Sequence, residues 1–299
     1  MSKTALYTTI YPGVEQFLPD WAASVMKQTY HNFDIVVGVD GVSIDNLAGL
    51  LKTDKPVQWI VGGPGFTPAQ IRQLALEEMI PFYNAVVFAD SDDILEADRI
   101  ESALMNLVNY DVTACGMRLI DERGLDLKML FQFDSLETLD SVLPRFNMFG
   151  LSNSAYRTEV LRRCLPIPHE CVLVDWFLAT KAWLEGARMG FDSTCLMAYR
   201  QFSRNTARVI PPFSAEEILT ATQLVLDHCR LVFRYIVPAY PNSVAIFEKA
   251  RLEIEEFALK INRDQNLLDR YVDQLNQLPR AHLWWSCVAH PQLEMIWKN

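Results

Sequence analysis

The stretch Tyr-Asn-Ala-Val-Val-Phe-Ala-Asp-Ser-Asp-Asp-Ile, residues 83–94, decides the fold expected for this chain. Residues 85–89 form a short, continuous apolar run, which is typical of a strand buried on both faces of a sheet. The carboxylates of Asp90, Asp92 and Asp93 follow the run directly. Because ligands of open α/β sheets bind outside the carboxyl ends of the strands, this segment predicts a buried strand that leads into a polar site.

Asp90 and Asp92 are candidate ligands of a cation, since they lie two residues apart in an extended segment where both carboxylates can reach one ion. Hard oxygen ligands favour Mg²⁺ or Mn²⁺, and such ions commonly bridge to substrate phosphates. The same acidic residues also suit the first turn of a helix predicted over residues 95–108. The motif alone leaves both interpretations open.

Composition indicates an ordinary globular chain. Its 299 residues are 50% hydrophobic and 21% charged, which allows one large domain or two smaller ones. The formal net charge of −10 disfavours nucleic acid as a partner, because nucleic-acid binders usually carry a basic face. The six cysteines are scattered and form no C-x-x-C pair, which argues against zinc and redox motifs.

The N-terminus and the apolar runs bear on where the protein works. Residues 1–4 lead straight into an apolar strand and show no signal-peptide pattern. No apolar run is long enough to cross a bilayer, since the run at 231–240 is interrupted by Arg234 and Pro238. These features predict a cytoplasmic protein with reduced cysteines, and they leave room for peripheral contact with the inner face of the membrane.

The first part of the chain alternates strand and helix. Strands are predicted at residues 4–10, 33–39, 57–61 and 85–89, and helices at residues 14–28, 44–51 and 67–79. This rhythm implies right-handed crossovers and a mainly parallel sheet flanked by helices, which is an α/β fold. Asp40 ends the second strand and should open on the same sheet edge as Asp90, where a nucleotide would lie.

Two nucleotide-binding motifs are missing from this alternating region. There is no G-x-G-x-x-G after the first strand and no Walker A sequence. Dinucleotide cofactors and P-loop chemistry are therefore disfavoured.

Beyond residue 108 the pattern is less regular. Two further strands and a helix are predicted, at residues 111–119, 191–199 and 177–184. The polar, glycine-containing stretch 147–154 either lines a site or is an ordinary connecting loop.

The C-terminal part of the sequence is helical. Residues 214–217 form a capping-box-like helix start, and helical periodicity covers residues 214–237, 242–262 and 264–277. We therefore divide the chain into an α/β domain, residues 1–208, and a C-terminal helical region, residues 209–299. Because the helical region shows no catalytic constellation, we expect it to serve acceptor binding, oligomer formation or membrane proximity.

The end of the chain is rich in tryptophan. The residues concerned are Trp284, Trp285, Met295 and Trp297. If exposed, they would dock a partner or a membrane interface, but side chains of this kind more often pack onto the body of the protein.

Several short motifs follow one another in an order that points to a known family. They are Gln28-Thr29-Tyr30 with Phe33-Asp34-Ile35-Val36-Val37 and Asp40-Gly41, Ile71-Arg72-Gln73-Leu74-Ala75, Phe88-Ala89-Asp90-Ser91-Asp92-Asp93, Val174-Asp175-Trp176 and Tyr199-Arg200. In this order they resemble Q-T-Y with V-V-D-D-G-S, A-R-N-x-G, F-L-D-S-D-D, E-D-W and Y-R. These are motifs of the inverting glycosyltransferases of family 2, which have the GT-A fold, and the resemblance covers residues 4–206.

The chain departs from the family pattern at several positions. Val39 replaces the first Asp of D-D-G-S, and Val174 replaces the Glu of E-D-W. Gln201-Phe202 stands where the family often has a His after Y-R, which leaves a third protein ligand of the metal unassigned. Thr9-Ile10-Tyr11 only loosely matches the family's P-x-Y-N after the first strand.

The resemblance implies a GT-A-type fold and a metal-dependent, inverting sugar transfer from a nucleotide sugar, a UDP-sugar by preference, to a hydroxyl acceptor. The acceptor would be a glycan or glycolipid of cell-surface polysaccharide or glycolipid synthesis. The resemblance further implies that Asp92 and Asp90 bind Mn²⁺ or Mg²⁺ and that Asp175 is the catalytic base. The residues that it implies for nucleotide-sugar binding are Thr8, Thr9, Tyr11, Asp40, Arg72, Asp90, Ser91 and Asp92.

Two residue roles remain open at this point. Asp175 fits the base that an acceptor hydroxyl needs within hydrogen-bond reach, and it also fits a helix N-cap. Arg72 could pair with phosphate, hold Asp90 or form a plain surface ion pair.

The function also has alternatives. A non-catalytic scaffold that binds sugar nucleotides is one, although it would not need the carboxylates of Asp90, Asp92 and Asp175. A sugar-phosphate nucleotidyltransferase is another, but it should carry a Gly- and Arg-rich phosphate loop where this chain has residues 11–14. The sequence leaves a homo-oligomer open as well.

Overall fold

The computed structural model describes residues 3–133, 138–278 and 283–298. The chain forms two compact units. The first contains Met1–Lys128 and Phe149–Gln201, and the second contains Met129–Met148 and Phe202–Asn299. The second unit thus includes a segment from the middle of the chain, whereas the division drawn from the sequence has a single boundary after residue 208.

The first unit is built on a mixed sheet with a parallel N-terminal half. The strands of the sheet are β1 (Thr4–Ile10), β2 (Phe33–Val39), β3 (Val57–Val61), β4 (Ala85–Phe88), β5 (Ile94–Leu95), β6 (Val112–Ile120), β7 (Asp126–Phe131), β8 (Ser154–Arg157) and β9 (Met189–Arg200), and the last three residues of β7 are counted with the second unit. They are ordered β3-β2-β1-β4-β8-β6-β9-β5, and β7 pairs with β6. β1 is parallel to β2 and β4, and β2 to β3. The predicted α/β fold with a mainly parallel sheet is confirmed.

The antiparallel contacts of the sheet lie in its second half. β8 is antiparallel to both β4 and β6, and the short β5 is antiparallel to β9. β6 and β9 run parallel to each other.

Helices flank this sheet. They are α1 (Leu18–Met26), α2 (Ile44–Ala48), α3 (Pro68–Met79), α4 (Arg99–Asn106), α6 (Thr158–Cys164) and α7 (Val174–Leu184); α5 (Leu139–Val142) belongs to the second unit. The predicted start of α3 is confirmed: the Thr67 hydroxyl accepts a hydrogen bond from the Gln70 amide, and the Gln70 side chain accepts one from the Thr67 amide. This capping box satisfies two amides that a helix start otherwise leaves unpaired.

The centre of the sheet is the core of the first unit. Every residue of β1 and β4 is buried, which explains the unbroken apolar run that precedes Asp90. Tyr7 and Tyr156 each make an edge-to-face contact with Phe88, at ring-centroid distances of 5.8 and 5.7 Å. This aromatic row joins β1, β4 and β8, and each such pair stabilises by about 0.5–1.5 kcal/mol beyond its area burial.

Two local predictions differ from the structure. The helix expected over residues 95–108 begins at Arg99, because Ile94 and Leu95 pair with β9 instead. Ser154, the last residue of the stretch 147–154, begins the strand β8 between β4 and β6, where no strand was predicted. Both differences come from pairing between segments distant in sequence, which local periodicity does not show.

The second unit is helical. Its main helices are α8 (Ala215–Tyr235), α9 (Val244–Arg263), α10 (Gln265–Leu275) and α11 (Glu294–Trp297). The predicted capping box at the start of α8 is present, with the Ser214 hydroxyl and the Glu217 carboxylate each accepting the other residue's amide.

The tryptophans near the C-terminus pack inside the second unit. Trp284, Trp285 and Trp297 are buried, whereas Met295 is 77% exposed. The ring of Trp284 lies 4.3 Å from that of Phe131, and Trp297 makes an edge contact with Phe257 at 5.5 Å. The packing interpretation is therefore right for the tryptophans.

Across the described ranges, the helices lack the combination of length and apolar character that a bilayer span requires.

Candidate active site

The candidate site lies where β1, β2 and β4 end. Because these strands are parallel neighbours, their carboxyl ends meet on one edge of the sheet. Beyond the strands, the Asp40 amide donates to the Ile10 carbonyl at 2.9 Å, and the Ala89 amide donates to the Tyr7 carbonyl at 3.1 Å. Asp40 and the acidic segment after β4 thus leave the sheet at the same edge.

Residues 90–93 form a tight turn, here called the acidic turn. The Asp93 amide donates to the Asp90 carbonyl at 3.2 Å, which closes it. Two hydroxyls attach the turn to its surroundings: Ser91 donates to the Thr9 carbonyl at 2.8 Å, and Ser152 donates to the Asp90 carboxylate at 2.8 Å. The turn is therefore fixed both to β1 and to the segment before β8.

The carboxyl groups of the acidic turn are buried together and disfavour one another's charge. Burial raises the pKa of Asp90, although the charge of Arg72 and the Ser152 hydroxyl lower it in part. Burial and the charge of Asp90 raise the pKa of Asp92, and burial with both neighbouring charges raises the pKa of Asp93. The protein alone leaves this turn short of positive charge.

A divalent cation fits this arrangement. Oδ2 of Asp93 is buried without a hydrogen-bond partner in the described chain, and Asp92 is 5% exposed. Within residues 3–133, 138–278 and 283–298, no three His, Cys, Asp or Glu side chains are grouped to hold a metal. Mg²⁺ and similar ions are, however, often bound by one or two carboxylates, with substrate phosphates and water completing the shell.

Arg72, on α3, faces the acidic turn. Its charge lowers the pKa of Asp90, and it also acts on Tyr7, Tyr11 and Cys171. Its buried Nε has no hydrogen-bond partner among the residues that the structure describes. A guanidinium so placed is available to an anionic ligand.

Tyr11 also faces the acidic turn. Burial raises its pKa, and the charges of Asp92, Asp90 and Asp93 raise it further, so the phenol group lies within their electrostatic reach. The loop after β1 thus borders the site.

Thr8 and Thr9 lie within the buried β1. The hydroxyls of Thr9 and Tyr7 are 3.0 Å apart and hydrogen-bonded, while the Thr9 carbonyl accepts from Ser91. The Thr8 hydroxyl is buried without a partner in the described residues. Both threonines are therefore placed directly before the bordering loop.

Asp175 lies in the first turn of α7, whose N-cap position is Leu173. Asp175 is half-buried, and its charge acts on Cys171 and on Tyr156. Arg72 acts on the same Cys171, so Asp175 and Arg72 share a neighbour.

Sequence reasoning missed two partners of the acidic turn. Ser152, which bonds Asp90, lies in the polar stretch 147–154, whose composition was the signal for a site-lining role. Arg200 donates its amide to Oδ1 of Asp93 at 2.8 Å. The sequence marked Arg200 only as part of a motif and gave no sign of what it contacts.

Comparisons with known proteins bear on the fold. No protein-family model matches the sequence, and no curated protein matches it significantly. Among solved structures, the chain is similar to TarS from S. aureus with a TM-score of 0.56 at 18% identity, over 93% of this chain and 49% of that chain. The chain therefore spans about half the length of that protein.

Two ligand-bound structures are also similar. Residues 1–349 of S. aureus TarS in complex with UDP-GlcNAc match with a TM-score of 0.54 at 18% identity, over 92% of this chain and 88% of that chain. The mannosyltransferase PcManGT from Pyrobaculum calidifontis, in complex with GDP-Man and Mn²⁺, matches with a TM-score of 0.59 at 13% identity, over 99% and 87%. At these identities the likeness establishes a shared fold.

Proposed function

We propose that this protein is a metal-dependent, inverting glycosyltransferase of the family 2 type. It would move a sugar from a nucleotide sugar, a UDP-sugar by preference, to a hydroxyl group of a glycan or glycolipid. The observation that carries the proposal is the acidic turn beside Arg72, whose Nε has no partner in the described chain, at the edge where Asp40 also ends its strand. The proteins that share this fold include ones bound to UDP-GlcNAc and to GDP-Man with Mn²⁺, which supports a sugar nucleotide as the ligand class.

The donor side of the site would be built by residues of β1, β2, β4 and α3. Asp40 would accept a hydrogen bond from the base, and the loop at Tyr11 would cover it. The Arg72 guanidinium would pair with the diphosphate. Asp92 and Asp90 would hold Mn²⁺ or Mg²⁺, which offsets the negative charge that develops on the diphosphate as it leaves.

The acceptor side would depend on Asp175. A hydroxyl is a weak nucleophile, so a base must take its proton as the new bond forms. The Asp175 carboxylate would accept that proton while the acceptor oxygen bonds to the anomeric carbon and the carbon–oxygen bond to the diphosphate breaks. Attack from the face opposite the leaving group inverts the anomeric centre.

We propose that the helical region, residues 209–299, supports acceptor binding, self-association or contact with the inner face of a membrane. Among the described helices, α9 carries exposed apolar side chains, and its Leu252 and Leu259 are 52% and 49% exposed. Exposed apolar side chains of this kind are compatible with any of these contacts.

Ligand-dependent stability tests the proposal directly. The melting temperature would be measured with UDP, UDP-sugars, GDP, GDP-sugars, ATP and NAD, each with Mn²⁺ and with a chelator. A specific ligand at a hundred times its Kd stabilises by about 2.7 kcal/mol. We expect UDP or a UDP-sugar with Mn²⁺ to give the largest increase in melting temperature. With a UDP-sugar we also expect slow, metal-dependent hydrolysis of the donor. The largest stabilisation by NAD or ATP would contradict the proposal.

A further inference from the structure

Arg200, the last residue of β9, is a buried charged side chain with several hydrogen bonds around the acidic turn. The side chain is 1% exposed. Its Nε donates to the Asp92 carbonyl at 2.7 Å, and its Nη1 donates to the Glu122 carbonyl at 2.9 Å. Its Nη2 pairs with the Asp20 carboxylate at 3.1 Å, and the guanidinium lies 4.6 Å from the ring centroid of Phe17.

The main chain of Arg200 takes part as well. Its amide donates to Oδ1 of Asp93 at 2.8 Å. Arg200 therefore forms hydrogen bonds with two consecutive residues of the acidic turn, with Asp92 through its side chain and with Asp93 through its backbone amide. Both bonds join segments more than a hundred residues apart in sequence.

The other contacts of Arg200 are anchors outside the turn. Glu122 belongs to the connection between β6 and β7, while Phe17 and Asp20 lie at the start of α1. A planar guanidinium offers five N–H donors in fixed directions, so it can hold several acceptors at once. A lysine ammonium at the same place could not reach these separate acceptors together.

We propose that Arg200 is a positioning residue that sets the direction of the Asp92 carboxylate toward the cation and the donor diphosphate. The inference rests on the proposed function. Because a bound ion requires its ligands within a few tenths of an ångström, a turn held by its backbone gives tighter binding than the same carboxylate on a mobile turn. In this proposal Arg200 would touch neither the cation nor the diphosphate and would act through Asp92.

The test compares Arg200→Lys with the wild-type protein and with Arg188→Lys as a matched control. Arg188 belongs to the same unit, is 61% exposed and forms a two-bond pair with Asp111, so the control makes the same substitution away from the turn. Calorimetry would give the Kd of UDP or GDP, whichever the wild-type protein binds more tightly, with saturating Mn²⁺ and with a chelator. The melting temperature of each variant would be recorded alongside.

We expect Arg200→Lys to weaken the Mn²⁺-dependent affinity at least about tenfold, the size of effect seen when partners of metal ligands are removed. The metal-free affinity should stay at the wild-type value, a pattern that a general loss of structure would not produce. Arg188→Lys should leave both affinities unchanged. If Arg200→Lys does not fold, Asp20→Asn replaces it as the test variant, because Asp20 is 58% exposed and pairs with the same guanidinium. The Kd of the Asp20→Asn protein for the nucleotide with Mn²⁺ should rise about two- to fivefold.

Two results would overturn the inference. One is wild-type nucleotide affinity, with and without Mn²⁺, in a folded Arg200→Lys protein. If that protein is unfolded, the same result in Asp20→Asn counts instead. The other is an equal weakening with and without metal. If the wild-type protein binds neither UDP nor GDP, the proposed function and this inference both fail. If the wild-type protein binds one of them with Mn²⁺ and the variant is unchanged, only this inference fails.

Discussion

Asp92 is a carboxylate held where its charge is poorly compensated. Burial and the charge of Asp90 both raise its pKa, and the charge of Arg200 lowers it only in part. A group whose folded-state pKa is raised in this way destabilises the folded protein at neutral pH, because the unfolded chain keeps the charge solvated. Buried carboxylates with perturbed pKa values cluster at functional sites, and a metal-binding role for Asp92 agrees with this pattern.

Asp92→Asn tests that role. The substitution removes a charged ligand and a repulsive charge at once, so we expect Mn²⁺-dependent nucleotide binding to be abolished while the melting temperature stays the same or rises. Calorimetry and thermal unfolding would measure the two effects. Asp98→Asn, an exposed acid in the same unit, should change neither. Unchanged nucleotide affinity with no metal dependence in Asp92→Asn would rule out the metal site.

Asp175→Asn tests the base. A base acts on the acceptor, so we expect normal donor and metal affinity and a transfer rate lower by at least about a hundredfold, within the range of about 10²–10⁴ for general-base assistance. If Asp175 interacted only with the helix dipole, its substitution would instead lower the free energy of unfolding by about 0.3–1 kcal/mol and leave transfer intact.

The control for Asp175→Asn is Glu159→Gln, since Glu159 is an exposed first-turn acid of α6. Glu159→Gln should lower the melting temperature as much as Asp175→Asn does through the helix dipole, and it should leave turnover unchanged. Turnover, donor affinity and melting temperature would be measured for both variants. Near-normal turnover of Asp175→Asn with a lowered melting temperature would eliminate the catalytic role.

The position of a residue at the candidate site could be predicted from local pattern where the residue closes an apolar run. Asp40 and Asp90 follow buried strands, so the sequence gives both their position and their shared sheet edge. The bonds from Ser152 to Asp90 and from Arg200 to Asp92 cross 62 and 108 residues. Local pattern carries no information on such partners, because they depend on the order of strands in the finished sheet.

At the scale of elements, α8 contains a histidine that makes stability depend on pH. His228 is 4% exposed, and burial lowers its pKa from 6.5 to about 3. The folded protein therefore keeps His228 neutral, while the unfolded chain binds a proton below pH 6.5. Stability should fall as the pH decreases from about 6.5 toward 3.

The effect can be isolated with His228→Gln. Between pH 7 and 5 the wild-type protein should lose about 2 kcal/mol more stability than this variant, from about 1.4 kcal/mol for each pH unit below the unfolded-state pKa. Urea unfolding at the two pH values would measure the difference. His31→Gln changes an exposed histidine and should keep the wild-type pH dependence. Parallel pH profiles for all three proteins would show that His228 titrates alike in both states.

Elements themselves were predictable where their own residues decide them. The helix start at Thr67 and the capping box at Ser214 are local and are found as expected. β5 and β8 were not predicted, since each is short and exists through pairing with β9 or with β4 and β6. Tertiary pairing decides the state of such two- to four-residue segments.

At the scale of the whole molecule, the second unit is discontinuous in sequence. The segment Met129–Met148 joins the C-terminal helices, and Arg145 is one of its attachments. Its guanidinium lies 3.2 Å from the Glu253 carboxylate on α9 and donates to the Ala289 carbonyl at 3.3 Å. Sequence composition could not reveal this, because no shift in composition marks residues 129 or 148.

Arg145→Ala measures that attachment. The side chains of Arg145 and Glu253 are 20% and 16% exposed, so removing the cation leaves a largely buried carboxylate with less compensation. We expect a loss of about 1–3 kcal/mol, below the range for fully buried pairs because water still reaches this one. Arg230→Ala removes a 66% exposed partner of Asp227 on α8 and should have little effect. Equal stability of the two variants would show that the Arg145 contacts are not stabilising.

A chain that ends after Arg208 would lack most of the second unit. Such a chain keeps residues 129–148 but loses Trp284, whose ring packs 4.3 Å from Phe131, and Glu253, which pairs with Arg145. Exposing a buried aromatic side chain such as Phe131 costs about 1.5–3 kcal/mol, a large part of a typical domain stability of about 5–15 kcal/mol. We therefore expect the shortened chain to bind a hydrophobic dye, to melt without cooperativity and to aggregate in size-exclusion chromatography, unlike the full chain. A monomeric product that melts cooperatively and does not bind the dye would instead support an independent domain over residues 1–208.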